Sequence, residues 1–438
     1  MKCNIGRLAL ALTLLAPVLA ASPAPTQQAA FRGGVELIAV DVQVIDGQGH
    51  PVLGIKPASF EVTIDGRRRR IVSVDLMADS VATAGARDRS GASGPVATNV
   101  WPEAIQGDGR TFILAIDVSS LDAAGMLAVA RAAREFVSAL EPADRLGIFT
   151  IPFGPRVPPT TNRLIVRQAL DGVSGQRAAV TGQFNLSTSE IIDITAETAG
   201  QGVLSRMSSQ VAGAGGRGVP APVANDTDTL QRVQLRECRR VADLGCLEAI
   251  VSEAAALGQY LEERVIQSLT GITSLLDALG PGSGRKTVVV LSGGMAVSDR
   301  PGGRVDIGDE AKELGERAAH ANAVVYAIHV DRDLSEIYSA QSRRGRDAVS
   351  PARERAMASK LLSQFADASG GALLTSSVGS GEVAFERILR ETSAYYLLGV
   401  EPTEADRDGK VHRLRVKVGT RDVTVRSRQW VVLRRARP

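Results

Sequence analysis

Aromatic side chains are scarce in this chain: Phe, Trp and Tyr together make up 4% of its 438 residues. A surface that stacks sugars or nucleobases needs several such rings, so that kind of platform is excluded. Charge of one sign is lacking too. Lys and Arg number 51 against 48 Asp and Glu, a net charge of +3 that calls for no polyanionic partner and argues against nucleic acid. Only four histidines occur, His50, His320, His329 and His412, and none are paired at zinc-ligand spacing. The three cysteines contain no C-x-x-C, so no redox motif is present. No G-x-S-x-G exists, which removes the strand-to-helix turn that many serine hydrolases use. Beyond Leu19 no apolar run reaches the roughly 18 residues a membrane-spanning helix requires, so the mature chain is expected to have no transmembrane segment.

What is present begins with Lys2 and Arg7, the uncharged apolar stretch from Leu8 to Leu19, and small residues up to Ala20. That order predicts a secretory signal peptide over residues 1–20 and a periplasmic or secreted mature protein. In such an oxidising compartment Cys238 and Cys246 are expected to form a local disulfide, with a chain turn near Asp243-Leu244-Gly245.

Two textures divide the remainder. Residues 31–77 alternate apolar and polar side chains, with Asp65-Gly66 as a hairpin turn signal, and predict a small β module. The basic run Arg67-Arg68-Arg69-Arg70 lies within it and reads as a solvated edge strand. Residues 78–107 are rich in small and polar residues and predict a linker. From residue 108 to 393, short apolar runs (Phe112–Ile116, Leu146–Ile151, Thr287–Leu291, Ala323–Val330, Ala372–Thr375) alternate with amphipathic helical patterns. These predict an α/β fold with a Rossmann-like, mostly parallel sheet covered on both faces. An insertion at about 180–250 interrupts the rhythm. Strand texture returns over 394–438, and neither end alone has enough strands for a two-sheet core. Strands from the two ends are therefore expected to pack together as one sandwich-like module.

Two phosphate-loop resemblances carry little. Gly213 to Gly218 satisfies G-x-G-x-x-G, but no strand precedes it. GPGSGRKT (280–287) comes before a strand instead of after one, and Arg285 holds the place of the required Gly.

The candidate site is the sequence TFILAIDVSSLDAAG (111–125). In an open parallel sheet, ligands gather at the carboxyl ends of strands, and Asp117 and Ser119 stand at such an end. Oxygen-bearing side chains there suit a hard cation such as Mg²⁺. Both residues could instead cap the following helix.

Phe112 to Ser120 resembles the opening strand and metal loop of the von Willebrand factor type A domain. Its adhesion site uses an Asp-x-Ser-x-Ser loop, a Thr from a second loop and an Asp from a third. The head of the chain, GRKTVVVLSGG and the tail YYLLGV…HRLRVKV…VRSRQWVV further resemble the extracytoplasmic "VWFA-related" proteins of Acidobacteria. The resemblance implies a module that binds a protein ligand, with Asp117, Ser119 and Thr181 as metal-site residues. Asp122, Ser292 and His329 are candidates for the ligand-binding edge. Leu121 stands where the motif has its second Ser, and Ser292-Gly293-Gly294 stands where it has Asp, so the implied site is degenerate. Any Mg²⁺, Mn²⁺ or Ca²⁺ would be held weakly, a ligand carboxylate completing the shell. Two alternatives remain open: an envelope scaffold without metal, and a hydrolase using Ser119 with His329 and Asp331. The leading expectation is a binding protein, not an enzyme.

Overall fold

The computed structural model describes residues 37–78, 109–177, 182–199, 229–239, 243–281, 284–306, 309–331, 351–377 and 381–433. The expected signal peptide, Thr181, the Gly213–Gly218 stretch and nearly all of the expected linker fall outside them.

In chain order the strands are β1 (Ile38–Ile45), β2 (Phe60–Ile64), β3 (Arg67–Arg69), β4 (Ile71–Ala78), β5 (Thr111–Asp117), β6 (Arg145–Ile151), β7 (Arg156–Thr160), β8 (Lys286–Ser292), β9 (Ala323–Asp331), β10 (Leu373–Ser377), β11 (Ala394–Val400), β12 (Val411–Val418), β13 (Thr424–Arg426) and β14 (Trp430–Val432). The helices are α1 (Ala123–Ala139), α2 (Arg163–Asp171), α3 (Thr188–Thr198), α4 (Thr229–Glu237), α5 (Leu244–Leu279), α6 (Glu310–His320), α7 (Pro351–Ser369) and α8 (Gly381–Glu391).

Six strands form the central sheet in the order β10-β9-β8-β5-β6-β7. Pairing is parallel from β10 to β6, and only the edge strand β7 runs antiparallel. The apolar runs are continuous because both faces are covered. Phe112, Leu114 and Ile116 pack with α1 on one face, whereas Ile113 and Ala115 pack with α5 and α7 on the other. β7 was not legible in the sequence, since RVPPT carries two prolines; an edge position tolerates them because the ladder needs N–H donors on one side only.

Two four-stranded antiparallel sheets, β13-β1-β11-β4 and β14-β12-β2-β3, stand beside it among the described residues. Each draws two strands from the head and two from the tail. Their shared core holds Val40, Val42, Phe60 and Ile64 from the head with Tyr396, Leu398, Leu414 and Val431 from the tail. Clean alternation in β12 (VHRLRVKV, every second residue buried) reflects one packed and one solvated face. The β2–β3 hairpin turns on Asp65 and Gly66, both at positive φ, as a two-residue turn requires.

The expectation of a solvated Arg67–Arg70 edge needs correction at Arg69. Its guanidinium and the Asp406 carboxylate are 5% and 3% exposed and bond through Arg69 Nε and Asp406 Oδ2 at 2.7 Å. In the antiparallel register Arg69 lies opposite the buried Val62, so it points inward while Arg68 reaches Glu61 on the surface.

The sandwich joins the central domain through polar contacts between buried groups. Tyr326 Oη donates to Gln43 Oε1 at 3.0 Å, and Gln43 Nε2 donates to the Glu391 carbonyl at 3.1 Å. Burial pushes the Tyr326 hydroxyl up to about 12, so it stays a donor.

In the insertion, the disulfide joins Cys238, just past α4, to Cys246 in the first turn of α5. α5 runs for 36 residues and starts at Leu244, capped by the Asp243 side chain. Asp193 on α3, itself 2% exposed, receives Arg353 at 2.7 Å and Arg300 at 2.9 Å. These two cations come from α7 and from the loop after β8, so the insertion is fastened to the same edge of the sheet as the candidate site. Among the described residues, no helix is long and apolar enough to cross a membrane.

Candidate functional site

β5 and β8 are neighbours, yet the chain passes through β6 on the opposite side of β5 before returning to β8. Their carboxyl ends thus flank a topological switch point, where the loops diverge and leave a crevice. Asp117 ends β5 and Ser292 ends β8.

The Asp117 carboxylate is fully buried and accepts at both oxygens. Ser119 Oγ donates to Oδ1 at 2.6 Å, and Ser292 Oγ donates to Oδ2 at 2.9 Å. Ser120, which sequence reasoning passed over, binds the two strand ends together. Its Oγ donates to the Asp117 carbonyl at 2.8 Å, accepts from Gly293 N at 2.8 Å, and lies 3.1 Å from Ser292 Oγ. Gly293 is required at this approach: a Cβ there would sit 2.4 Å from the Ser120 carbonyl oxygen. The Ser-Gly-Gly sequence at the end of β8 is therefore a packing solution, closed next to the β5 loop.

The other candidates take different places. Asp122, not Asp117 or Ser119, caps α1, accepting from Gly125 N at 2.8 Å. Leu121 is fully buried in the core shared with α1. Burial of a leucine side chain contributes about 1.5–3 kcal/mol, which a hydroxyl at this position could not supply. His329 pairs in register with Ser292 and is 3% exposed. Among the described residues its Nδ1 has no hydrogen-bond partner, and burial pushes the ring's pKa down, so it is a neutral imidazole. Ser119 faces Asp117, with Ser268 Oγ of α5 at 3.4 Å, and is not hydrogen-bonded to His329. Asp331 bonds Arg355 Nε at 2.6 Å.

A second missed residue closes the site from above. Arg264 of α5 donates through Nη2 to the Ser119 carbonyl and stacks 5.7 Å from the Tyr260 ring. Burial first, then the like charge of Arg177, lowers its pKa, while Tyr260 and Asp117 act in the opposite direction. Two neighbouring guanidiniums and one buried carboxylate thus share this edge. Arg177 belongs to a segment pinned to the β5 loop by Gln176 N to Val118 O (2.8 Å) and Arg177 N to Leu121 O (3.0 Å). Gln176 Nε2 in turn donates to the Phe153 carbonyl at 3.3 Å, and the Phe153 side chain stands 72% exposed beyond β6.

These residues do not fit a divalent ion. Such an ion takes about six oxygen ligands, waters among them, and needs at least one or two accessible carboxylate or carbonyl oxygens from the protein. Here both Asp117 oxygens already accept hydroxyl protons, Leu121 is apolar, and a guanidinium already claims the Ser119 carbonyl. Among the described residues, no group of three or more His, Cys, Asp and Glu is gathered at one point. The arrangement instead makes a rigid edge: the buried Asp117 carboxylate ties the β5 and β8 ends together, backbone bonds add the segment of Gln176 and Arg177, and Arg264 reaches the β5 loop from α5.

No protein-family model matches the chain, and no curated protein matches it. Among solved structures, an aerotolerance-related membrane protein from Bacteroides fragilis NCTC 9343 is 12% identical over 65% of this chain and 98% of that one, with a TM-score of 0.31. The conserved hypothetical protein BatB from Bacteroides thetaiotaomicron is 14% identical over the same shares, with a TM-score of 0.32. Likeness at this level carries no argument about what this chain does.

Proposed function

We propose that the chain is a type A-like interaction module that works outside the cytoplasm and binds a protein partner through the strand-carboxyl edge of its central sheet. The observation that carries this reading is Phe153, a 72% exposed aromatic in a chain with 4% aromatic residues, whose backbone carbonyl accepts from Gln176, the neighbour in sequence of the half-buried Arg177. Aromatic and arginine side chains on a stiff support are the residue types that dominate binding energy at protein interfaces. Two neighbouring arginines favour a partner whose matching surface is acidic. Asp117, Ser119 and Ser292 hold the loops and do not touch the partner, since all three are buried.

The test is affinity capture from envelope extract with wild type, Phe153→Ala and Arg177→Glu. A protein retained by wild type and lost from both variants supports the reading. Identical capture by all three would sink it. Full burial of Asp117 favours a second reading, a structural envelope scaffold in which this polar group only stabilises the fold. That reading expects the identical-capture result.

A further inference from the structure

We propose that the Arg264 guanidinium takes the place a divalent ion would hold beside Asp117, so that this edge is built around an internal cation and needs no metal. The inference starts from an electrostatic requirement. A buried, ionised carboxylate at a strand end is expensive unless a positive charge or several hydrogen bonds offset it. Asp117 has two hydroxyl donors, from Ser119 and Ser292, both neutral. Of the two guanidiniums at this edge, Arg264 binds the carbonyl of Ser119 through Nη2, the same residue whose hydroxyl binds Asp117.

The guanidinium is held in place from three directions. α5 fixes its backbone, with Ser268 one turn on lying 3.4 Å from Ser119 Oγ. The Tyr260 ring, one turn before, stacks on it at 5.7 Å. The Ser119 carbonyl accepts from it at the far end. A weakly hydrated planar cation on such a support is the side-chain counterpart of a bound ion.

The surrounding substitutions agree. Leu121 and Ser292 stand where the metal loop that this stretch resembles has a hydroxyl and a carboxylate; Leu121 is packed into the core, and the Ser292 hydroxyl is engaged by Asp117 and Ser120. With the cation supplied by the chain itself, neither ligand is required. The consequence for the interaction reading is that an acidic partner would meet arginine directly, so capture would resist chelator and weaken with salt. Only that consequence rests on the interaction reading; the exchange of ion for guanidinium stands independently of any partner.

The test uses full-length protein freed of metal by chelator, with thermal unfolding and Mn²⁺ titration calorimetry on wild type, Arg264→Ala, and Arg264→Ala combined with Asp117→Asn. Wild type is expected to give no saturable heat and a Tm change under about 1 °C with millimolar Mn²⁺. Arg264→Ala should lose Tm by several degrees in chelator, regain at least half of that loss with Mn²⁺, and show saturable heat. The double variant should show neither the regain nor the heat. If Arg264→Ala does not accumulate as folded protein, Arg264→Gln is read the same way. Saturable Mn²⁺ binding by wild type that Asp117→Asn abolishes would overturn the proposal. So would an Arg264 variant with unchanged Tm, or one that gains no response to Mn²⁺.

Discussion

Ser292 Oγ donates to Asp117 Oδ2 at 2.9 Å, joining residues 175 positions apart at the ends of two adjacent parallel strands. The bond is shielded from water on every side, both residues being fully buried. Without Asp117 the buried Ser292 Oγ keeps Ser120 Oγ and Gly294 N, each at 3.1 Å, but loses its charged acceptor.

Asp117→Ala should destabilise the protein by about 2–6 kcal/mol, because two buried hydroxyls lose this acceptor at roughly 1–3 kcal/mol each. Ser292→Ala removes one donor and should cost about 1 kcal/mol. Urea unfolding measures both. Equal, negligible effects would mean the network adds nothing to stability.

The buried pair of Arg69 and Asp406 ties the sandwich edge to the loop before β12. Arg69→Met should cost about 3–5 kcal/mol by leaving a buried carboxylate uncompensated, and adding Asp406→Leu should restore most of it. The Arg69 guanidinium holds the Asp406 carboxyl well below its usual 3.8. With a depressed folded-state pKa, the stabilisation is complete above about 3.8 and is lost as pH falls toward the folded value. Acid unfolding of wild type should show this loss, and the double variant should not.

His412, 7% exposed, lies between Asp65 at 2.8 Å and Asp408 at 2.9 Å. Burial opposes the charged ring, but hydrogen bonds and charge from the two carboxylates prevail and raise its pKa above 6.5. A raised folded-state value places the stabilisation below 6.5, and it disappears as pH rises through the folded value. Thermal unfolding of wild type should therefore show Tm declining from pH 6.5 upward. His412→Asn should flatten that slope, and a slope that persists would assign it to other groups.

Reducing the Cys238–Cys246 bond opens a short loop, for which the chain-entropy account gives about 2–3 kcal/mol. The effect should stay within the insertion, where α4 and α5 share a small core around Val233 and Ile250. Limited proteolysis of Cys238→Ser/Cys246→Ser should cut faster within residues 182–243 while the central sheet resists. Accelerated cleavage of the sheet itself would show that the insertion is not a separate unit of stability.

Much of the architecture was legible because it is written in local periodicity. The TFILAID, TVVVLS and AVVYAIHV runs identify buried parallel strands, since only a sheet covered on both faces lets every position be apolar. The alternation in VHRLRVKV and the Asp65-Gly66 turn identify the antiparallel module for the complementary reason. The missed elements are those whose side chains contradict their surroundings. Arg69 is a buried arginine whose partner lies 337 residues away, and β7 is a proline-bearing edge.

At the site, the sequence by itself determined that Asp117, Ser119 and Ser292 stand at strand carboxyl ends, because strand termination is a local event. It also showed the departures at Leu121 and Ser292. Only the tertiary structure decided that Asp122 caps the helix and that Ser120 bridges two loops. It alone brought a guanidinium from α5 over the β5 loop, 145 residues away in the chain. Which helix face meets which strand end is set by the packing of whole layers. No spacing rule along the chain encodes that meeting, so the positive charge of this edge lay beyond the reach of the linear sequence.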